Sequence, residues 1–445
     1  MIYLSIGSNL GNRLENVRNA IRLLKKKVFN NLRCAPILET EAITLSGSPA
    51  EWNKPFLNTI VYGESSLTPE DLLQKLKEIE IESGHPAAHK KWAPRIIDLD
   101  ILLWDNLTVN TPLLVIPHKE LCNRSFLVHL FALINPSIRY PEEGSCHRCR
   151  GKTFGEIARS YSNINECFNK SLTLYPKLVG VVNVTPDSFS DGGKYFEHDK
   201  AIAKALELAS DGATVVELGA QSTRPGATII SEDEEFERLS PVLDGLLKKM
   251  KNGVMKISVD TFYPKVVRKL LKNYPVSWIN DVKGEFDNET LEEIAAKGCK
   301  IVVMHSLSVP VKKGEYLSDE IDPSDEIIRW AEETLSRLVK CGFQKDSVIL
   351  DPGIGFGKSS YQSLALIRAA KQIKKIGCPV FFGHSRKSYL AAFCKSSSVE
   401  RDLETIAVSD YLNECEIDYL RVHNVKHHQS FFVTKQLIQE GASYV

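Results

Sequence analysis

From Leu178 onward, short apolar runs alternate with segments whose apolar residues recur every three or four positions. The runs are Leu178–Val182, Thr214–Leu218, Lys256–Val259, Val276–Ile279, Lys300–Met304, Ser347–Leu350, Pro379–Phe382 and Asp418–Val422. Each has the length and β-branched content of a buried strand, whereas Asp199–Ser210, Ser231–Met250 and Asp325–Cys341 carry helical spacing. Eight such units in about 270 residues predict a (β/α)8 TIM barrel over residues 176–445. Residues 1–160 follow another pattern. Ile2–Ile6, Leu32–Thr40 and Phe56–Gly63 are strand-like. Asn12–Lys27 carries Leu14, Val17, Ile21 and Leu24 on one helical face. Pro69–Ser83 is a helix with Thr68 as N-cap and Asp71 in its first turn. This order predicts a ferredoxin-like α+β domain, its helices on one face of a mainly antiparallel sheet. The polar stretch 161–175 is the expected linker.

Composition narrows the function classes. Lys+Arg and Asp+Glu both number 56, which argues against a dedicated nucleic-acid binder. The 43% hydrophobic and 25% charged fractions are those of a soluble globular protein, and no apolar run reaches membrane-spanning length. No secretory signal is visible at the start, and the ten cysteines are scattered, so a reduced cytoplasmic setting is expected. Cys146 and Cys149 have metal-ligand spacing, but no second CxxC or CxxxH lies at suitable range, so no zinc site is expected.

The candidate chemistry of the first half lies in Arg95, Asp98 and Asp100. Residues two apart on a strand share a face, so the two carboxylates stand together while Ile97, Leu99 and Ile101 face the core. Such a pair is costly unless a cation neutralises it; Mg²⁺ does so and also brings in a polyphosphate. An exposed acidic strand edge is the bland alternative, which the dense apolar neighbours disfavour. In the second half every strand exit is polar: Asn183, Gln221–Gly226, Asp260, Asn280, His305, Asp351, His384–Lys387 and Arg421–Asn424. A barrel delivers all these exits to one face, and helix capping alone does not account for eight in succession. The glycines around Phe356 fit a tight strand exit better than a phosphate cradle.

The segments IGSNLGNR, PFLNTIV, WAPRIIDLDILL and IPHKELCNRSFLVHLFALI resemble 6-hydroxymethyl-7,8-dihydropterin pyrophosphokinase over nearly all of residues 1–160. That family moves a pyrophosphoryl group from MgATP to the pterin hydroxymethyl group, leaving AMP. The resemblance implies two Mg²⁺ on Asp98 and Asp100, and ATP contacts from Glu80, Trp92, Arg95, His118 and Arg124. It implies a pterin held by Asn58 between Phe56 and Phe126. The loop before Trp92 departs from the pattern, offering His85, Ala87, His89, Lys90 and Lys91 where arginines are usual.

The segments VNVTPDSFSDGG, STRPGA, SVDT, IND, LDPGIGFGK, SRKS and RVH resemble dihydropteroate synthase over residues 176–445. That family, the sulfonamide target class, joins the pterin pyrophosphate to p-aminobenzoate. The resemblance implies Asn183 on a Mg²⁺ that accompanies the leaving pyrophosphate, with Arg421 and His423 binding that pyrophosphate. Asp260, Asn280 and Asp351 would hold the amino-pyrimidine edge, Lys387 the carbonyl side, and Met304 and Phe356 the ring. Thr223 and Arg224 would lie on a closing loop. Glu217 stands where Asp is usual, Gln221 where Glu is usual, and Asn424 follows His423. The expected whole is therefore a bifunctional folate-biosynthesis transferase using ATP, pterin and p-aminobenzoate, with no nucleic-acid or membrane partner. Barrels of this family are often homodimers. Two other readings compete: a chain in which only the barrel is active beside a weakened kinase, and a pterin-binding methyltransferase. Methyl transfer needs no pyrophosphate site, so Lys387, Arg421 and His423 speak against the latter.

Overall fold

The computed structural model describes residues 1–42, 49–84, 93–161, 163–173, 176–185, 194–221, 228–249, 255–392, 394, 397 and 401–441. Two compact units emerge. One comprises Met1–Leu174 with Gln429–Val445, the other Tyr175–His428.

The first unit is built on a sheet of β1 (Ile2–Ser8), β2 (Arg33–Cys34), β3 (Ile37–Thr40), β4 (Phe56–Gly63), β5 (Asp98–Trp104) and, past the β6–β7 hairpin (Val109–Asn110, Val115–Ile116), β8 (Lys170–Leu172). The order is β5-β1-β4-β3-β8 with β2 beside β4, and every pairing is antiparallel. Thus β8, inside the segment expected to link, is an outer strand of the sheet, at the end opposite β5. Helices α1 (Arg13–Lys27) and α2 (Pro69–Glu82) start as their sequences require. Asn12 and Thr68 accept from the backbone of Glu15 and Asp71. Val17, Leu24, Leu72, Leu76 and Ile79 bury their apolar faces with Ile97, Leu99 and Ile101 of the β5 segment. The other face of the sheet is covered by α3 (Ser125–Ile134) and α4 (Phe154–Ala158), where Phe131 stacks on Phe154 with centroids 4.2 Å apart.

The second unit is a ring of eight parallel strands: β9 (Lys177–Asn183), β10 (Val215–Gly219), β11 (Lys256–Asp260), β12 (Trp278–Asp281), β13 (Lys300–Met304), β14 (Val348–Asp351), β15 (Phe381–Phe382) and β16 (Tyr419–Val422). All eight expected strands are present. They run β14-β13-β12-β11-β10-β9-β16-β15, and a parallel bridge between Leu350 and Val380 closes the ring. Helices α5 (Lys194–Ser210), α6 (Glu232–Lys249), α7 (Pro264–Asn273), α8 (Asn288–Ala296), α9 (Pro323–Lys340), α10 (Ser360–Arg368), α11 (Ala370–Ile373) and α12 (Asp402–Glu414) fill the crossovers, and α13 (Val425–Gly441) follows β16, its residues from Gln429 onward belonging to the first unit. Inside, Val179, Val215, Trp278, Val302, Ile349, Phe381 and Tyr419 form one apolar layer, with the Trp278 and Tyr419 rings edge to face at 4.8 Å. That layer is the floor on which the polar exits stand. No helix among the described residues is long and apolar enough to cross a membrane.

Candidate active sites

In the first unit Leu99 and Ile101 point into the core while Asp98 and Asp100, which alternate with them, remain partly exposed. The alternation expected from sequence therefore holds. Arg95 Nη1 meets Asp98 Oδ1 at 2.8 Å. Burial, followed by the Asp98 charge, pushes the Asp100 carboxyl up, while His118 and Arg124 oppose the rise. A carboxylate pair carrying one arginine, set on hard oxygen donors, fits a divalent cation such as Mg²⁺.

The frame around this pair is made by backbone contacts. β5 is an edge strand, and Glu80, almost wholly buried on α2, accepts the Leu99 N–H at 2.8 Å with Oε1 and pairs with Lys77 through Oε2, also at 2.8 Å. Asn9 Oδ1 accepts the Arg95 N–H at 2.7 Å, and the Asn9 N–H donates back to the Arg95 carbonyl at 3.2 Å. Asn16 donates to the Ile96 carbonyl at 3.1 Å. The end of β1 thus aims Arg95 at Asp98. Pairing of β1 with β5 shifts register between Tyr3 and Leu4, leaving Leu102 as the extra residue. The Leu102 carbonyl accepts the His118 N–H at 2.9 Å. His118 Nδ1 in turn accepts the Glu120 N–H at 3.3 Å, and burial lowers the ring's proton affinity while the Asp100 charge opposes that fall.

Asn58 and Phe56 lie on β4 opposite the end of β1. A Cβ on Gly7 would sit 2.9 Å from Asn58 Oδ1 and 3.5 Å from the Phe56 ring, so a hydrogen at residue 7 keeps this floor open. Asn58 Nδ2 donates to Thr40 Oγ1 at 2.8 Å. Arg124 and Phe126 open α3, both partly exposed. Trp92 and the loop residues His85, Ala87, His89, Lys90 and Lys91 lie outside the described residues.

In the barrel, the residues two positions beyond the apolar layer are Val181, Glu217, Asn280, Met304, Asp351, Gly383 and Arg421. They share the inward face of the layer, and four of them, Glu217, Asn280, Asp351 and Arg421, are polar. Arg421 Nε is 2.6 Å from Glu217 Oε1, and its Nη2 is 3.8 Å from Asp260 Oδ2. Glu217, with no exposure, also accepts Asn280 Nδ2 at 3.0 Å. That bond sets the amide and leaves Asn280 Oδ1 buried without a protein partner among the described residues. Burial, then the Glu217 charge, raises the Asp260 carboxyl well above its usual range. Burial likewise raises Asp351, whose Oδ1 accepts the Gly353 N–H at 2.8 Å.

Lys387 reaches over the same floor. Its Nζ bonds the Ile354 carbonyl at 2.6 Å and lies 4.5 Å from the Phe356 ring centroid. Burial, partly offset by Asp351, brings it down to about 8. A Cβ on Gly383 would come 3.4 Å from Asp351 Oδ2 and 3.8 Å from both Lys387 Nζ and Arg421 Cδ, so these three groups converge on one open spot. Gly353, at φ +67°, brings its backbone so close to His305 that a Cβ would sit 2.0 Å from the His305 carbonyl oxygen. This is the tight exit expected there. Lys358, buried, bonds His305 Nδ1 at 2.7 Å and the carbonyls of His305 and Phe356 at 2.9 Å each, which pins the loop under Phe356.

Asn183, exposed at the end of β9, shares a cavity of about 550 Å³ with Arg386, His423 and Asn424. His423 Nδ1 meets Ser385 Oγ at 2.9 Å, and Arg386 is held by both oxygens of Asp402 at 2.6 and 2.9 Å. Thr223 and Arg224 lie outside the described residues. Sequence reading passed over Glu217 as a mere departure. Its signal was the repeated two-residue step from an apolar position to a polar one: Val215 to Glu217, Trp278 to Asn280, Ile349 to Asp351, Tyr419 to Arg421.

Residues 3–136 match the family model for 7,8-dihydro-6-hydroxymethylpterin-pyrophosphokinase, and residues 179–423 match that for pterin binding enzymes. A folate synthesis bifunctional protein of Chlamydia caviae is 38% identical over 432 residues, 96% of each chain. The mitochondrial one of Pisum sativum is 31% identical over 455 residues, 96% of this chain and 87% of the relative. Dihydropteroate synthase of Anaplasma phagocytophilum, solved with bound 6-hydroxymethylpterin-monophosphate, superposes with a TM-score of 0.53 at 33% identity, over 59% of this chain and 98% of its own. That of Xanthomonas albilineans, solved with 4-aminobenzoic acid, gives 0.54 at 32%, over 59% and 93%.

Proposed function

The chain belongs to the folate synthesis bifunctional proteins, transferases that combine a hydroxymethyldihydropterin pyrophosphokinase with a dihydropteroate synthase, and from that premise we propose how its residues divide the two reactions. Both enzyme classes are generally magnesium-dependent.

In residues 1–160, Asp98 and Asp100 would hold two Mg²⁺ with the ATP phosphates, and Arg95, His118 and Arg124 would contact the nucleotide. Bound there, the ions would neutralise the charge that develops on the transferring phosphoryl group. Glu80 acts through the backbone, keeping Leu99 and hence both carboxylates in place. Asn58, Phe56 and Phe126 would fix the pterin so that its hydroxymethyl oxygen lies in line, positioning being most of what the protein contributes to such a transfer.

In residues 176–445, Asp260, Asn280 and Asp351 would read the amino-pyrimidine edge. Burial raises the proton affinities of Asp260 and Asp351, and N–H donors of the ring would oppose that rise by favouring the carboxylate forms. Lys387 would meet the carbonyl side, with Met304 and Phe356 against the ring. Arg421 and His423 would take the pyrophosphate, beside an ion on Asn183. Arg421 and His423 would neutralise the pyrophosphate as its bond to the pterin methylene carbon breaks, and the aniline nitrogen of p-aminobenzoate would bond to that carbon and give up one proton. Thr223 and Arg224 would close over that carbon and exclude water. A homodimer would form through the barrel.

The reading rests most on one observation: Glu217, Asn280, Asp351 and Arg421, from four barrel strands, stand directly above one apolar layer, and Gly383 leaves a fifth position open. The alternative with an inactive first half is not favoured, since relatives spanning both halves match the whole chain. The test is a one-pot assay with 6-hydroxymethyl-7,8-dihydropterin, MgATP and p-aminobenzoate, following AMP and dihydropteroate. Both should form. Dihydropteroate appearing only from supplied pterin pyrophosphate overturns the first half of the reading, and pyrophosphate release independent of p-aminobenzoate overturns the second.

A further inference from the structure

Cys122, Cys146 and Cys149 converge, their three Sγ atoms within 4.8 Å of one another. Cys146 and Cys149 are 3.3 Å apart. The sequence showed only the CxxC; the third thiol comes from the turn Leu121–Asn123, brought in by the fold. Each limb is held by contacts that do not involve sulfur. The CxxC turn closes through the Cys149 N–H on the Cys146 carbonyl at 3.0 Å. Its base is a short ladder, with the Tyr140 N–H on the Lys152 carbonyl at 2.9 Å and the Gly151 N–H on the Tyr140 carbonyl at 3.0 Å. On the opposite limb the Cys122 carbonyl accepts Arg148 Nη2 at 2.7 Å and the Tyr161 hydroxyl.

We propose that these three thiols form a metal site for a thiophilic divalent ion, Zn²⁺. Tetrahedral Zn–S bonds of about 2.3 Å place sulfurs about 3.8 Å apart, and the observed spacings bracket that value. Simple apolar packing of three thiols does not call for a cation beside them, yet Arg148 bridges from the CxxC to the Cys122 turn. Three thiolates on a dication leave one net negative charge, which that guanidinium balances. Cys122 and Cys149 are buried and Cys146 is partly exposed, so the fourth position falls to solvent. A Cys146–Cys149 disulfide would leave Cys122 without a role. The ion would tie the Cys122 turn to the 138–153 ladder. That turn lies between His118 and Arg124, so the site braces the kinase segment, a consequence that rests on the functional reading above.

The test uses the full chain, expressed with zinc, purified under reductant without chelator, and assayed for metal by mass spectrometry. About one zinc per chain is expected. Cys122→Ser and Cys146→Ser should each lower the content at least tenfold, while Cys167→Ser, a thiol outside the trio, keeps it. Should the serine variants fail to fold, Co²⁺ titration of the zinc-stripped natural chain serves instead, read by the thiolate charge-transfer absorption. A chain without zinc and without that absorption overturns the site, as does a Cys146–Cys149 disulfide in the reduced protein or zinc retained in Cys122→Ser. None of these readouts depends on either enzymatic activity.

Discussion

The two candidate sites handle charge in opposite ways. On β5 the Asp98–Asp100 pair meets one arginine, and the remaining negative charge is left for a ligand to complete. At the barrel mouth the charges are already matched inside the protein: Glu217 holds Arg421 and Asn280, Asp351 faces Lys387, and the ligand must enter a network that is nearly closed. A site assembled by its metal tolerates an open edge strand. A site that must recognise a neutral heterocycle and expel a pyrophosphate needs groups whose positions are set before the substrate arrives.

The largest effect follows from the open site. Asp100→Asn should lower pyrophosphokinase turnover about 10³-fold, because the charge of the Asp98–Asp100 pair that would draw in the cations is halved. Dihydropteroate formation from supplied pterin pyrophosphate should stay within about twofold. Separate assays of the two reactions check this. A parallel fall in both would break the comparison, since it would mean that the two sites do not act independently.

Next is the closed network. Arg421→Lys keeps the charge but loses the fork that spans Glu217 and Asp260, and synthase kcat/KM should fall about 10²-fold with the kinase unchanged. Because a buried ion pair is being weakened, thermal unfolding of the variant should be measured alongside. If the kinase falls with the synthase, the loss is one of folding rather than of recognition.

These expectations draw on features of unequal legibility in the sequence. The eight barrel strands could be read because each is a short apolar run closed by a polar exit, and the Asp98–Asp100 pair because strand alternation is local. Glu217 could not be assigned a partner, since Asn280 and Arg421 lie far along the chain and only ring closure brings them together. The Leu102 bulge that seats His118 depends on a register shift with β1, which no local pattern encodes. The same holds for Cys122, whose meeting with the CxxC depends on the packing of α3 and α4. The strand Lys170–Leu172 was hidden for another reason: it is too short and polar to stand out from a linker, and β3 supplies its pairing.

A smaller effect separates the sites by pH. Lys387 is brought down to about 8 by burial, so its charge is lost as pH rises through that value, and synthase kcat/KM should fall there with a single inflection. The kinase site holds no lysine of this kind among its candidate residues, and its profile should lack that inflection. The stability trend runs the other way. Between about 8 and the ordinary lysine value of about 10.4, the unfolded chain binds the proton that the folded chain has released, so this group makes stability rise with pH. Lys387→Arg should abolish the inflection whatever rate remains. An inflection that survives this substitution assigns the titration to another group and removes Lys387 from the charged set.

The smallest effect distinguishes the two bonds made by one carboxylate. Lys77, with its side chain 55% exposed, pairs with Glu80 at the surface of α2, and Lys77→Ala should change stability by less than about 1 kcal/mol and kinase turnover by less than about twofold. Glu80→Ala removes the acceptor of the buried Leu99 N–H and should cost about 1–3 kcal/mol, loosening the strand between Asp98 and Asp100. The contrast matters because both substitutions touch the same ion pair. If the lysine variant lost as much as the glutamate variant, the carboxylates would be positioned by surface charge, and the kinase site would resemble the barrel's cross-matched network. If only the glutamate variant suffers, the open site owes its geometry to a backbone hydrogen bond on an edge strand, and it stays poised for cations because few of its charges are matched by the protein itself.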